Sequence, residues 1–380
     1  MSWIKKITIQ LSIALLFFEL FSFVATKFDL FLVNDTPRIY LGGELHSINS
    51  DFIGRTENEP WGAWREPNRR YRHIKRCFNV EIQTNEIGAR DSAFNTMGDD
   101  SIFLLGDSFA EGFGVSQELT SQFLLERTLG REILNFGSAG SFGPLQELML
   151  YREFQDKYNH SGLIVYILLA NDFTDNDAKV WAEKNSNARS RYRPYFSEGA
   201  DPLEPWYFPE AIARRDNFRN VGVDAFSHTT LVQGIKNTLV NYFWISNALR
   251  TAAYLIVERN AASSQYYDSL EYQQENFLRA HSGLVDLAGD KPVMFVLIPA
   301  EKDITRYIIS DQPSEYREQT WYQGLLSLAE NDNVALFDLM EVIPSDYENL
   351  FHTCDGHWGI QGNRWAAENI IRAINSENFF

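Results

Sequence analysis

The sequence predicts an α/β fold, a parallel sheet wrapped on both faces by helices. Three observations carry that expectation. From residue 101 onward, short apolar runs alternate with segments of helical period, the rhythm of strand–helix–strand units. The runs are apolar throughout rather than at alternate positions, as strands covered on both faces must be. Four polar clusters follow the runs, and ligands of such sheets bind beyond the carboxyl ends of the strands.

The elements follow in order. Lys5 and Lys6 precede ITIQLSIALLFFELFSFVA, about the length of one membrane span. Gln10, Ser12 and Glu19 dilute it, and Phe23-Val24-Ala25 is not a small-x-small cleavage site. Residues 1–30 are therefore read as an uncleaved, single-pass signal-anchor rather than a cleaved signal peptide or a buried helix. The basic pair would stay in the cytoplasm, leaving the rest extracytoplasmic, on the periplasmic side of an inner membrane. Residues 31–98 read as an irregular segment with short strands such as FNVEIQTN (78–85). The α/β domain occupies 99–380. Strands are expected at SIFLLG (101–106), REILNFG (131–137), SGLIVYILLAND (161–172), KPVMFVLIPA (291–300) and NVALFDL (333–339). Helices are expected at 117–130, 143–158, 268–289, 314–330 and 361–374. Residues 173–265 break the rhythm and read as an insertion with a helix near 230–258. Five parallel strands make a flavodoxin-like sheet.

Lys plus Arg number 34 against 51 Asp plus Glu, a formal charge of −17. With no basic stripe, such a chain repels phosphates, so no nucleic acid partner is expected. Cys77 and Cys354 are the only cysteines. In an exported domain they are a candidate disulfide, two separate thiols being the alternative. CxxC and zinc-type spacings are absent, and so is the GxxxxGK[ST] phosphate loop. No metal or cofactor is expected. The GxSxG elbow of α/β-hydrolases is also missing.

The four clusters are Gly106-Asp107-Ser108, Gly137-Ser138-Ala139-Gly140, Asn171-Asp172 and Asp355-Gly356-His357-Trp358. A serine hydroxyl needs a base to take its proton. Histidine suits that task, and a nearby carboxylate orients the imidazole. A developing oxyanion needs fixed donors, which the backbone N–H groups of Ser108 and Gly137 and the amide of Asn171 could supply. His352 is a second candidate base. Asp107 and Asp172 read as caps or turn formers, Glu111 and Asp175 as rim residues. Trp61, Trp64, Trp181 and Trp206 read as packing residues rather than sugar platforms.

GDSFAEG (106–112), the Gly137 turn, Asn171-Asp172 and DGHW (355–358) together resemble the SGNH (GDSL-type) hydrolase superfamily, over about 101–374 apart from the insertion. The resemblance implies a three-layer α/β/α fold, Ser108 as nucleophile, His357 as base, Asp355 as orienting acid, and Ser108, Gly137 and Asn171 as the oxyanion hole. Only Gly356 separates Asp355 from His357, where many members have two residues. That form, with NEIGARD (85–91), is similar to exported polysaccharide-associated members such as alginate O-acetyltransferase-like proteins. The expected function is an exported, membrane-anchored esterase acting on O-acyl, chiefly O-acetyl, esters of a carbohydrate. One alternative is an O-acetyltransferase using the same residues, served by a membrane acyltransferase partner. Another is a non-catalytic polysaccharide-binding or assembly protein.

Overall fold

In the computed structural model the described residues are 3–27, 55–75, 77–95, 100–183, 191–197, 204–213, 215, 264–310, 312–353, 355–377 and 379–380. Two antiparallel hairpins come before the sheet. One pairs β1 (Arg55–Glu59) with β2 (Gly62–Arg65), the other β3 (Arg70–Lys75) with β4 (Phe78–Gln83). The apolar runs then form β5 (Ile102–Leu105), β6 (Ile133–Asn135), β7 (Gly162–Leu168), β8 (Val293–Ile298) and β9 (Val334–Asp338). They make one parallel sheet in the order β6-β5-β7-β8-β9. Every residue of β5 to β8 is buried, which is why these runs carry no polar alternation.

After β5 the chain steps one way to β6, then returns past β5 to β7. This reversal opens a crevice at the carboxyl ends of β5 and β7. Right-handed crossovers place the helix Ser121–Leu129 on one face of the sheet. They place Pro144–Phe154, Glu271–Ala288 and Thr320–Leu328 on the other. The packing agrees: Glu271–Ala288 lies against both of its face-mates, and the last helix, Ile360–Glu377, lies against Ser121–Leu129. The expected three layers are present.

Four readings change. β7 stops at Leu168, and a helix, Leu169–Asp175, starts at once, so Asn171 sits on a helix rather than at a strand end. LLAND continues the apolar run, and the run alone does not show where the backbone turns. A helix at Glu301–Ile309 was not expected; Asp303 caps its start by accepting from the Ala300 N–H at 3.0 Å. The stretch read as a loop before residue 360 contains a hairpin of β10 (Phe351–His352) and β11 (Asp355–Trp358). The fourth change concerns the N-terminus. A helix does form at Trp3–Lys27, and Leu11, Ile13, Leu15, Leu16, Phe17 and Phe18 on it are exposed. Among the described residues, however, no helix is long and apolar enough to cross a membrane. Lys5, Lys6, Glu19 and Lys27 make four charged residues in this one.

Of the insertion, the helix Ala178–Glu183 and a bridge between Tyr195 and Trp206 are described. Trp181, Tyr192, Tyr195 and Phe208 form their own buried cluster. The helix expected near 230–258 lies outside the described residues. Trp61 and Trp64 are buried in the main core, whereas Trp206 is 41% exposed.

Cys77 is disulfide-bonded, and there is no free cysteine among the described residues. Cys354, the chain's other cysteine, lies outside them. Protein purified without reductant should therefore show no alkylatable thiol, and Cys77→Ser should cost about 2–4 kcal/mol in a denaturant titration. Recovery of two alkylated cysteines would overturn the bond.

Candidate active site

Ser108 owes its position to the residues just before it. Gly106 has φ +144°, and a Cβ there would lie 2.8 Å from the Ala110 Cβ and 2.9 Å from the Tyr166 Cβ. Glycine lets β5 turn sharply into the one-turn helix Ser108–Glu111. Asp107 caps that turn, its Oδ1 accepting from the Phe109 N–H at 2.9 Å. Ser108 thus opens the helix at the switch-point crevice.

β11 explains the DxH spacing. Residues i and i+2 of a strand share one face, so Asp355 and His357 project together while Trp358 points the other way. Trp358 is buried against Phe109 and Tyr166. Asp355 Oδ1 bonds the His357 Nδ1 and accepts the His357 backbone N–H at 3.0 Å. The other ring nitrogen, Nε2, lies 2.8 Å from the Ser108 Oγ. With Nδ1–H donated to the carboxylate, Nε2 is left to accept the serine proton. The imidazole is clamped between Phe113, stacked at 4.0 Å and 24°, and Phe109, at 5.2 Å. One short stretch, SFAEGF, therefore supplies the hydroxyl and both rings that clamp the imidazole. His352 packs on Phe78 instead, centroids 4.9 Å apart, and no bond to Ser108 is found.

These groups line a cavity of about 350 Å³ with Ala139, Gly140, Ser141, Leu168, Ala170, Asn171 and Ala300 among its walls. Gly137 is not among them, which corrects its expected place in the oxyanion hole. Its N–H is donated to the Asn135 Oδ1 at 2.9 Å. A Cβ there would lie 2.4 Å from the Glu111 nitrogen, so Gly137 serves the packing of β6 on the serine helix. Gly140, three residues on, lines the cavity, and its N–H has no hydrogen bond among the described residues. Nor has the N–H of Ser108. Two glycines in one turn look alike in sequence, and only the side-chain acceptor on Asn135 separates them.

Asn171 lines the cavity as expected. Its Nδ2 donates to Asp175 Oδ2 at 2.6 Å and, weakly, to Asp107 Oδ2 at 3.4 Å. Asp175 is therefore buried support, not rim. Glu111 is also buried, paired with Arg65, and its Oε2 accepts the Ala139 N–H at 2.9 Å. Arg90, from NEIGARD, donates to the carbonyls of Glu111, Gly112 and Val115. These two arginines brace the serine helix from outside the sheet, and sequence reading gave neither a role.

Behind the site, Asp107, Glu147, Asp172 and Asp175 form a buried acidic group. Burial pushes the Asp107 carboxyl up to about 6, its bond to the Phe109 N–H opposing the shift. Burial and then neighbouring carboxylates push Glu147 and Asp172 well up. Among the described residues, no group of His, Cys, Asp or Glu could hold a metal ion.

Two expectations follow. The raised values of Asp107, Glu147 and Asp172 mean that these three bind protons more tightly in the folded than in the unfolded chain, so stability falls as pH rises from the ordinary carboxylate range through the raised values. The melting temperature should drop between pH 5 and pH 8, and Glu147→Gln should shrink that drop, by about 2–4 °C per kcal/mol. An unchanged pH slope would refute it. Gly137→Ala should cost about 1–3 kcal/mol through backbone overlap. A selective loss of kcat at unchanged melting temperature would instead put Gly137 back at the reacting atoms.

No known family model matches the sequence, and no curated protein matches it. Among solved structures, a lipolytic protein of the G-D-S-L family from Desulfitobacterium hafniense is similar at 12% identity and TM-score 0.33, over 72% of this chain and 99% of that one. A salicylyl-acyltransferase of a tetracycline biosynthetic pathway is similar at 13% identity and TM-score 0.35, over 75% and 57%. A GDSL-like lipase from Bacteroides ovatus is similar at 11% identity and TM-score 0.36, over 75% and 55%. The chain spans just over half the length of the last two. Likenesses this low leave the chemistry to stand on the side-chain geometry.

Proposed function

We propose that the protein is a serine esterase that cleaves short O-acyl esters, with Ser108, His357 and Asp355 as its triad. The observation that carries this reading is the continuous hydrogen-bonded line from Asp355 through His357 to the Ser108 Oγ, the last link 2.8 Å long. In the first step Oγ attacks the acyl carbon and its proton passes to the His357 Nε2. Asp355 stabilises the imidazolium. The carbonyl oxygen becomes an oxyanion, met by the N–H groups of Ser108 and Gly140 and by the one Asn171 Nδ2 hydrogen that its long 3.4 Å contact with Asp107 holds only weakly. Collapse breaks the ester bond, and the leaving alcohol takes the proton from Nε2. Water then attacks the acyl-serine, giving a proton to Nε2 and releasing the acid and the serine.

Several features support the finer reading. Ala139, Ala170 and Ala300 leave room for a small acyl group such as acetyl. The His357 side chain is 25% exposed, so water can reach the acyl-enzyme, which favours hydrolysis over transfer to a sugar. A carbohydrate as the alcohol rests on the resemblance of DGHW and NEIGARD. Export and membrane attachment through the N-terminal helix are part of the same proposal. They are supported by the exposed apolar side chains of Trp3–Lys27 and by the disulfide at Cys77, a bond of oxidising compartments. Cys354 is the partner we propose for it.

Ser108→Ala should lower turnover of an aryl acetate by at least about 10³-fold, abolish labelling by a fluorophosphonate and leave the melting temperature unchanged. Wild-type turnover in that variant would end the assignment. An acetylated oligosaccharide, offered with and without an acceptor sugar, should give free acetate in both cases. An acetylated acceptor would favour the transferase. In a flotation assay the full-length chain should rise with lipid vesicles, and a chain left at the bottom would refute the attachment.

A further inference from the structure

We propose that Arg191 and Arg193, in the segment inserted between β7 and β8, are positioning residues for the oxyanion-binding turn, a role that rests on the serine-esterase reading. Gly140 and Ser141 are consecutive residues in the left-handed region, at φ +92° and +62°. For Ser141, which carries a Cβ, that conformation is strained, and it persists only where the surroundings hold it.

The insertion does the holding. Arg191 Nη2 donates to the Gly140 carbonyl at 3.0 Å. Arg193 Nη2 donates to the Ser141 carbonyl and, at 2.8 Å, to Gln146 Oε1. Both guanidiniums lie over the Trp181 ring, at 5.4 and 4.1 Å. Trp181 is itself buried, and its Nε1 donates at 3.2 Å to the Thr174 carbonyl. Thr174 lies on the helix that carries Asn171. The same helix and the insertion are stitched again by Asn176: its Oδ1 accepts the Leu145 N–H at 3.0 Å, and its Nδ2 donates to the Pro194 carbonyl at 3.1 Å. Two oxyanion donors that arise after different strands, Gly140 and Asn171, thus share one anchor. The arginines touch carbonyls on the far side of Gly140 rather than the reacting atoms, so their contribution is the aim of its N–H. Donors act on a transition state only if they are already in place, and small misplacements are costly.

The test uses the full chain, with an aryl acetate as substrate and an aryl boronic acid, whose tetrahedral adduct with serine puts an oxygen where the oxyanion forms. Arg191→Gln should lower kcat about tenfold, short of the about 10²–10³-fold that losing a donor outright costs. KM should stay within about twofold, since ground-state binding is untouched. Boronic acid affinity should weaken in proportion to kcat, and Arg191→Lys should recover part of both. If Arg191→Gln does not fold, Arg191→Lys against wild type carries the comparison. An unchanged kcat in a folded variant overturns the proposal, as does a fall in kcat without weaker boronic acid binding. An inactive wild type would instead refute the esterase reading, and this inference with it.

Discussion

The whole site depends on one hydrogen bond between residues 249 positions apart, the His357 Nε2 to the Ser108 Oγ. Neither partner can be placed without the sheet. Ser108 is fixed by the turn out of β5, and His357 by a hairpin formed after the chain has crossed to the far edge strand β9 and come back. The return is possible because the final helix packs on Ser121–Leu129, on the face that β5 already serves. The parallel sheet is thus the device that closes a very long loop onto a single point. Its entropic cost grows only slowly with loop length.

Around that bond the molecule makes opposite electrostatic choices on two sides. The His357 imidazole is held by one carboxylate and by the faces of Phe109 and Phe113. The side on which we propose the oxyanion forms rests on buried acids, which would repel it if all were ionised. Burial resolves the conflict by raising their affinity for protons. An Asp107 pushed up to about 6 and a Glu147 pushed well above the ordinary carboxylate range can be neutral scaffolding where exposed carboxylates would be charges. The shared carboxyl group of Asp107 also links the cap of the serine helix to Asn171.

Much of this was legible in the sequence. Uniform apolarity identified all five sheet strands, and the polar clusters at their ends identified Ser108, Asn171, Asp355 and His357 as neighbours of the crevice. What escaped has physical reasons. DGHW is too short and too polar to read as a strand, yet pairing with Phe351-His352 makes it one. The choice between Gly137 and Gly140 depends on the side chain of Asn135, two residues before Gly137, and on a helix from elsewhere in the chain. Arg65 and Arg90 acquire a role only when tertiary packing puts carbonyls and a carboxylate around them. Long-range partners of buried polar groups leave no periodic trace.

The insertion is where such a fold has freedom. Residues between β7 and β8 leave the sheet at its switch point, so a segment placed there meets the crevice without disturbing any strand pairing. Here it bonds the carbonyls of Gly140 and Ser141, two residues of the cavity wall, from behind. The described part makes its own small core around Trp181 and Tyr195 and reaches the rest through carbonyl-directed arginines and Asn176. Bonds to main-chain carbonyls ask little of the side chains on the turn, so residues facing the substrate can change while the turn keeps its aim. Rigid support from outside the strands and a variable lining within the cavity are compatible for that reason.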